Sequence, residues 1–259
     1  MSTTLFDPRK SVIHRLNPVT KLIALLAIIV TVFAIPLWWV AASIVVVVVV
    51  PAAALSGVGG RLLSISLKIL LPIILALFIV QGLTFPGGTT VLWEWGILSV
   101  TSEGLLFALG IGSRIIVLVL TSILLVLTTH PGDLMSALTE RGMSPKFAYI
   151  ISSTLQLIPA FRERADSILL AQQARGLSIK GSPIRRVKFM LPLLSPLVLG
   201  MFTDVEERST AMEARAFGST AKRTALIPVP DSTVQRVARW LFIVLALAAV
   251  ATPIVFGLL

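Results

Sequence analysis

Two short segments hold the residues best placed to do chemistry with a partner. Residues 171–181 read AQQARGLSIKG and residues 211–218 read AMEARAFG. Each sets an arginine, Arg175 or Arg215, in the last turn of a helix-like stretch, after an alanine (Ala174, Ala214) and before a small residue (Gly176, Ala216). A guanidinium is planar and permanently charged, and it grips a carboxylate through two parallel N–H bonds. A single arginine in a last turn is explained by the helix dipole and the free carbonyls, with glycine marking the stop. Two such sites, flanked by alanines that keep the backbone accessible, instead read as a pair of basic prongs shaped for narrow grooves on a partner.

Other reactive residue types are sparse. His14 and His130 are the only histidines; they are far apart, and each sits near a helix start, as a cap or surface residue rather than half of a metal pair. The chain has no cysteine, which excludes disulfides and thiolate metal sites. Asp204, Glu206 and Glu207 form the densest carboxylate group and read as a helix surface. GLSIKGS, residues 176–182, resembles a phosphate loop only superficially, because Ser182 stands where a lysine is needed and no buried strand precedes it. No catalytic constellation, metal site or cofactor site is expected, so the chain reads as a non-enzyme.

The elements that must position the arginines are membrane helices. Of 259 residues 56% are hydrophobic and 13% charged, and the mean hydropathy is +0.97. Several apolar runs reach the roughly 18–20 residues that a helix needs to cross a bilayer. Five spans are expected, at about residues 21–39, 40–56, 62–81, 104–128 and 237–259. The second contains the run IVVVVVV, which lipid holds as helix because a lone segment there must satisfy its own backbone. The first twenty residues lack an apolar core, so no cleavable signal peptide is expected.

The formal charge of +10 is concentrated in particular loops, which points to membrane orientation and a protein partner and away from nucleic acid. Arg9, Lys10, Arg15 and Lys21 precede or open the first span, Arg61 and Lys68 lie at the start of the third, and the chain is strongly basic after the fourth. The connection 82–103 carries Glu94 and Glu103 and no lysine or arginine. This alternation predicts a cytoplasmic N-terminus in a plasma-membrane protein. Arg114, deep in the fourth span, should face protein or water, paired with a carbonyl or carboxylate. Lys68 can snorkel to the interface. Trp38, Trp39, Trp93, Trp95 and Trp240 read as interfacial anchors.

Three regions follow: a membrane domain over residues 1–128, a cytoplasmic coupling domain over 129–236, and a last transmembrane helix over 237–259. Within the coupling domain, Pro131 to Gly142 bracket a short amphipathic helix. A first arm runs from Phe147 to a stop at Gly176, kinked at Pro159, with Phe161, Ala165 and Ile168 on one packing face. A second arm starts after Pro183. IRRVKF is placed at the headgroups, and the short apolar stretch 189–203 beneath the membrane domain, a re-entrant or paired span being the alternative. The arm continues as helix to Arg215, with Gly218 as a stop. Both arms share one plan: apolar root, polar tip, arginine, small residue.

At these residues the sequence resembles the transmembrane T component of energy-coupling factor (ECF) ABC transporters. That family carries two Ala-Arg-Gly motifs at the tips of two cytoplasmic coupling helices. Ala174-Arg175-Gly176 matches the first, and Ala214-Arg215-Ala216 matches two positions of the second. Ala216 stands for the glycine, and Gly218 is the candidate to supply the lost flexibility. HRLNPVTKL, residues 14–22, and LTTHPGDLMSAL, residues 127–138, resemble further family segments. The resemblance implies an all-α membrane protein acting as a coupling scaffold. Its implied partners are two ABC ATPase subunits (a homo- or heterodimer), each docked on one arginine tip, and one small membrane S component that binds a vitamin or metal ion. The competing reading is the permease of an ordinary ABC importer served by an external binding protein, because Leu191-Pro192 after Gly176 partly matches a permease coupling loop. The second arginine prong and the lack of a full span after Leu191 tell against it.

Overall fold

The computed structural model describes residues 11–86, 89–95, 98–176, 183–219 and 230–256. The described residues are all-α apart from one two-stranded hairpin. It divides into two compact units, residues 1–137 with 228–259, and residues 138–227. Arg9 and Lys10, residues 177–182, the IRRVKF side chains, the Trp95 side chain and the last three residues lie outside the described set.

The first unit opens with α1, Pro18–Ala34. Pro18 begins the helix where its missing N–H costs nothing, and the Asn17 carboxamide accepts the Val19 N–H at 3.0 Å as an N-cap. α1 stops earlier than the expected span end at residue 39, because Ile35 is extended before Pro36, as a residue preceding proline prefers. Trp38 and Trp39 therefore begin the next helix. That segment is α2 (Trp38–Ile44), a wide π-turn (Val45–Val49) and α3 (Val50–Ser56). The valine run is helical as lipid requires, and the Val50 N–H reaches back five residues to the Val45 carbonyl. Gly57, at φ 71°, ends it.

α4, Gly59–Thr84, and α5, Ser102–Thr128, form a long antiparallel pair. Buried Gly104, Ala108 and Gly112 make a stripe of small residues at one-turn intervals along α5. A Cβ on Gly104 would lie 2.5 Å from the Gln81 carbonyl oxygen, so the backbones meet there as only glycine permits. Between the two helices, β1 (Val91–Trp95) pairs antiparallel with β2 (Leu98–Thr101) in a connection that sequence reading left without structure. The Glu103 carboxylate ties the hairpin to α5, accepting from the Thr89 hydroxyl at 2.8 Å and the Thr90 hydroxyl at 2.7 Å.

Among the described residues, four segments are long and apolar enough to cross a bilayer: Trp38–Ser56, Gly59–Thr84, Ser102–Thr128 and Thr233–Pro253. α1, apolar and 17 residues long, is just shorter. The core is small. Val49, Ala53, Val58, Leu62 and Leu127 form one cluster, and Val32, Ala41 and Val117 a second. Leu63, Leu71, Leu75 and many other apolar side chains point outward, as lipid-facing surface does. Lys68 is exposed near the start of α4, and Trp38, Trp39, Trp93 and Trp240 are all largely exposed.

α9, Thr233–Phe256, packs along α1. Polar bonds fix that pairing. Arg239, buried, donates to both Asp231 oxygens at 2.8 and 2.9 Å and to the Thr20 hydroxyl at 2.9 Å. The Asn17 backbone N–H donates to the Gln235 side chain at 2.9 Å, and its carboxamide to the Pro230 carbonyl at 3.3 Å. Lys21 donates to the carbonyl of Thr128, the last residue of α5, at 2.7 Å. The start of α1, the end of α5 and the start of α9 thus share one end of this unit. Removing one partner from a buried ion pair leaves the other charge stranded. Arg239→Ala should therefore destabilise the protein by about 3 kcal/mol, read as a lower unfolding midpoint in mixed micelles. The apolar pair Arg239→Met with Asp231→Leu should lose less than the single variant.

Candidate functional site: two arginine-tipped arms

The second unit is dominated by α7, Pro145–Ala174, and α8, Pro183–Ala214. The short α6, Pro131–Thr139, precedes them; the Gly132 N–H donates to His130 Nδ1 at 3.1 Å, so this histidine caps a helix start. His14 likewise bonds locally, Nδ1 to the Ser11 hydroxyl at 2.7 Å. Among the described residues no group of three or more His, Asp or Glu is placed to hold a metal ion.

α7 carries Pro159 inside an unbroken helix. α8 is likewise continuous, so Leu191-Pro192 lies within it and opens no new span. The two helices run antiparallel: Tyr149, near the start of α7, packs at a tilt against Phe217, beyond the end of α8, with ring centroids 5.1 Å apart. Further along, Arg164 pairs with Asp204 at 2.5 Å. Of the expected packing face, Ala165 and Ile168 are half-buried, while Phe161 is exposed. Asp204 is thus an ion-pair partner, whereas Glu206 and Glu207 line a shallow hollow on α8 with Thr203, Thr210, Ala211 and Ala214.

Both arms end in the same way. Arg175 caps α7 with φ −84°, its N–H donating to the Ala171 and Gln172 carbonyls. Gly176 follows in the left-handed region at φ 91°, its N–H donating to the Gln173 carbonyl at 2.9 Å. At the second tip, the Ala216 N–H donates to the Glu213 carbonyl and the Phe217 N–H to the Met212 carbonyl, both at 2.9 Å. These are the paired bonds of a Schellman stop, with an apolar residue just beyond the turn. Arg215 therefore occupies the same cap position as Arg175, and Ala216 the same position as Gly176. Ala174, Arg175, Gly176, Ala214, Arg215, Ala216 and Gly218 are all exposed. Neither tip guanidinium has an ion-pair or hydrogen-bond partner among the described residues.

The motif's departure is resolved at Ala216 itself. Gly218 is left-handed at φ 96°, but it does not relieve its neighbour: Ala216 takes the left-handed turn at φ 53°. An alanine there is strained by about 1 kcal/mol relative to glycine.

Arg114 differs from expectation. It is half-buried within α5, and among the described residues no carboxylate or carbonyl pairs with it. Sequence reading also missed the Arg164–Asp204 pair and the Tyr149–Phe217 contact. The one available signal was Phe217, an aromatic placed where a Schellman stop favours an apolar contact.

The chain is thus a helical membrane protein with two exposed arginine tips. The cobalt transport protein family CbiQ matches residues 9–226. The energy-coupling factor transporter transmembrane protein EcfT of Limosilactobacillus fermentum is 36% identical over 231 residues, 85% of each chain. The EcfT proteins of Acidaminococcus fermentans and Brevibacillus brevis are 33% identical over 232 residues and 35% identical over 233 residues, again across about 85% of each chain. The chain belongs to the CbiQ family, as an EcfT-type transmembrane subunit of an energy-coupling factor transporter.

Ala216→Gly should stabilise the second tip by about 1 kcal/mol, and Ala216→Val should weaken it. Amide exchange at residues 212–217 measures both: slower in the first, faster in the second.

Proposed function

We propose that this subunit couples ATP hydrolysis by two ABC ATPase subunits to a small membrane S component, which carries the substrate, a vitamin or metal ion. Residues 129–236 form the cytoplasmic coupling domain, residues 1–128 the membrane domain, and residues 237–259 the closing transmembrane helix. The N-terminus lies in the cytoplasm of a cell whose plasma membrane the chain crosses five times.

The observation that carries this reading is the geometry of the tips. Tyr149 meets Phe217 at one end of the antiparallel pair, beside Arg215, while Arg175 ends α7 at the other. At 1.5 Å per residue, the helix between them spans roughly 40 Å. Two arginines that far apart, each exposed on a helix stop, suit two separate grooves and not one. Each guanidinium docks in its own ATPase subunit, and closure of the ATPase pair moves both arms together. The outward apolar side chains near the two roots, Ile150, Leu155, Leu194 and Phe202 among them, suit a membrane partner such as the S component. Orientation is supported by the loop charges and by the shared end of unit one, where α1 and α9 begin and α5 ends.

The test is co-purification and uptake. Tagged wild-type protein, taken from native membranes in mild detergent, should bring down two ABC ATPase subunits and one small hydrophobic protein. Arg175→Glu with Arg215→Glu should remain in the membrane, lose the ATPase subunits and abolish uptake of the substrate that the captured small protein binds. Full uptake by that double variant would overturn the docking reading.

A further inference from the structure

The two arms are long, but little is buried between them. Along α7 only Ala148 is buried, and among the described side chains of α8 only Leu197 is. Apolar packing of that extent does not hold two helices of 30 and 32 residues at one angle. The directional contacts must do it, and the most central is Arg164 with Asp204. The Arg164 side chain lies across α8: a Cβ on Gly200 would fall 2.9 Å from its Cζ and 3.0 Å from Nη1. The guanidinium then reaches Asp204, one turn further on, at 2.5 Å. Gly200 is thus the notch through which Arg164 crosses to its partner.

The pair is not built for stability. Its side chains are 41% and 39% exposed, and ion pairs this wet contribute little to folding free energy. Exposure also makes the contact reversible, since water can replace either partner. The Tyr149–Phe217 contact holds one end of the arms, and the Arg164–Asp204 contact sits between that end and the Arg175 tip.

We propose that Arg164, seated over Gly200 and paired with Asp204, is the pivot that sets the angle between the two arms and so the spacing of Arg175 and Arg215. These three are positioning residues: they touch no ATPase groove, yet they determine whether both tips reach their grooves together. This rests on the reading of the arms as ATPase-docking prongs, but the arm angle can be measured without it.

The chain has no cysteine, so two introduced ones are the only labelling sites. Spin labels at Leu170→Cys and Ser209→Cys, both exposed positions on different arms, report arm spacing by pulsed dipolar spectroscopy in nanodiscs. The wild-type background should give one narrow distance distribution. Arg164→Glu and Asp204→Arg should each broaden it and move its maximum, and the two together, with the charges exchanged, should restore it. Gly200→Ala keeps both charges and favours helix, so it tests the notch without unfolding the arm; it should shift the distribution in the same direction as Arg164→Glu.

In the complex with co-purified ATPase subunits, the wild type should change spacing on addition of Mg-ATP with vanadate. The single variants should lose that change and the exchanged pair should regain it. Unaltered distributions in both single variants and in Gly200→Ala would overturn the pivot. So would failure of the exchanged pair to restore the spacing while the protein stays in the membrane. If wild-type protein captured no ATPase subunits, the docking reading would fail instead, while the distances from the chain alone would still decide the pivot.

Discussion

The first and last helices of this chain are joined by one buried guanidinium. Arg239 holds Asp231 with two bonds and Thr20 with a third, and the helices it joins begin more than two hundred residues apart. In lipid, apolar faces have no preference for one another over acyl chains, so hydrophobicity alone does not choose helix partners. Directional polar bonds do. The same end of the unit carries Asn17 bonded to Gln235 and Pro230, and Lys21 on the α5 terminus. Together these bonds determine which three helix ends share a face. The small-residue stripe on α5 performs the complementary task for α4, by close backbone approach.

The arms follow a different rule. They are long and mostly exposed, and their mutual arrangement rests on two local contacts instead of a core. A packed core resists small displacements because its side chains interdigitate. A wet ion pair over a glycine notch yields more readily. The chain therefore has one unit whose helix ends are fixed by buried polar bonds and one whose helices are held by exposed ones.

Much of this was legible from the sequence. The apolar runs marked the spans, the arginine motifs marked the tips, and HRLNPVTKL and LTTHPGDLMSAL marked segments that prove to meet through Lys21 and Thr128. What escaped had physical reasons. The Ile35-Pro36 break was overlooked because hydropathy is blind to backbone restriction. The hairpin at residues 91–101 lay in a stretch read for its charge and its tryptophans and not for strand pairing. Arg239 lies inside the expected last span, 237–259, and nothing local pointed to Thr20 across the chain. Asp204 read as helix surface, with no sign of Arg164 as its partner, because pairing between distant helix faces depends on how the arms cross. Ala216 was the subtlest case: the substitution was visible, but whether the chain turned at that residue or at Gly218 was a matter of dihedral angle.

The wide turn at Val45–Val49 changes the angular phase of its segment. Successive residues in an α-helix are set about 100° apart, and a turn closed five residues back absorbs one extra residue. In an uninterrupted helix Ala53 would stand roughly 120° round from Ala41; with one residue absorbed, the two fall within roughly 20° of each other. Both are buried, and Ser56 joins them on that side. The valine run thus acts as a length adjuster within the membrane. A chain with one valine fewer would bring the same residues to the same face through an ordinary helix, so deletion of a single residue here leaves the packing surface downstream unchanged.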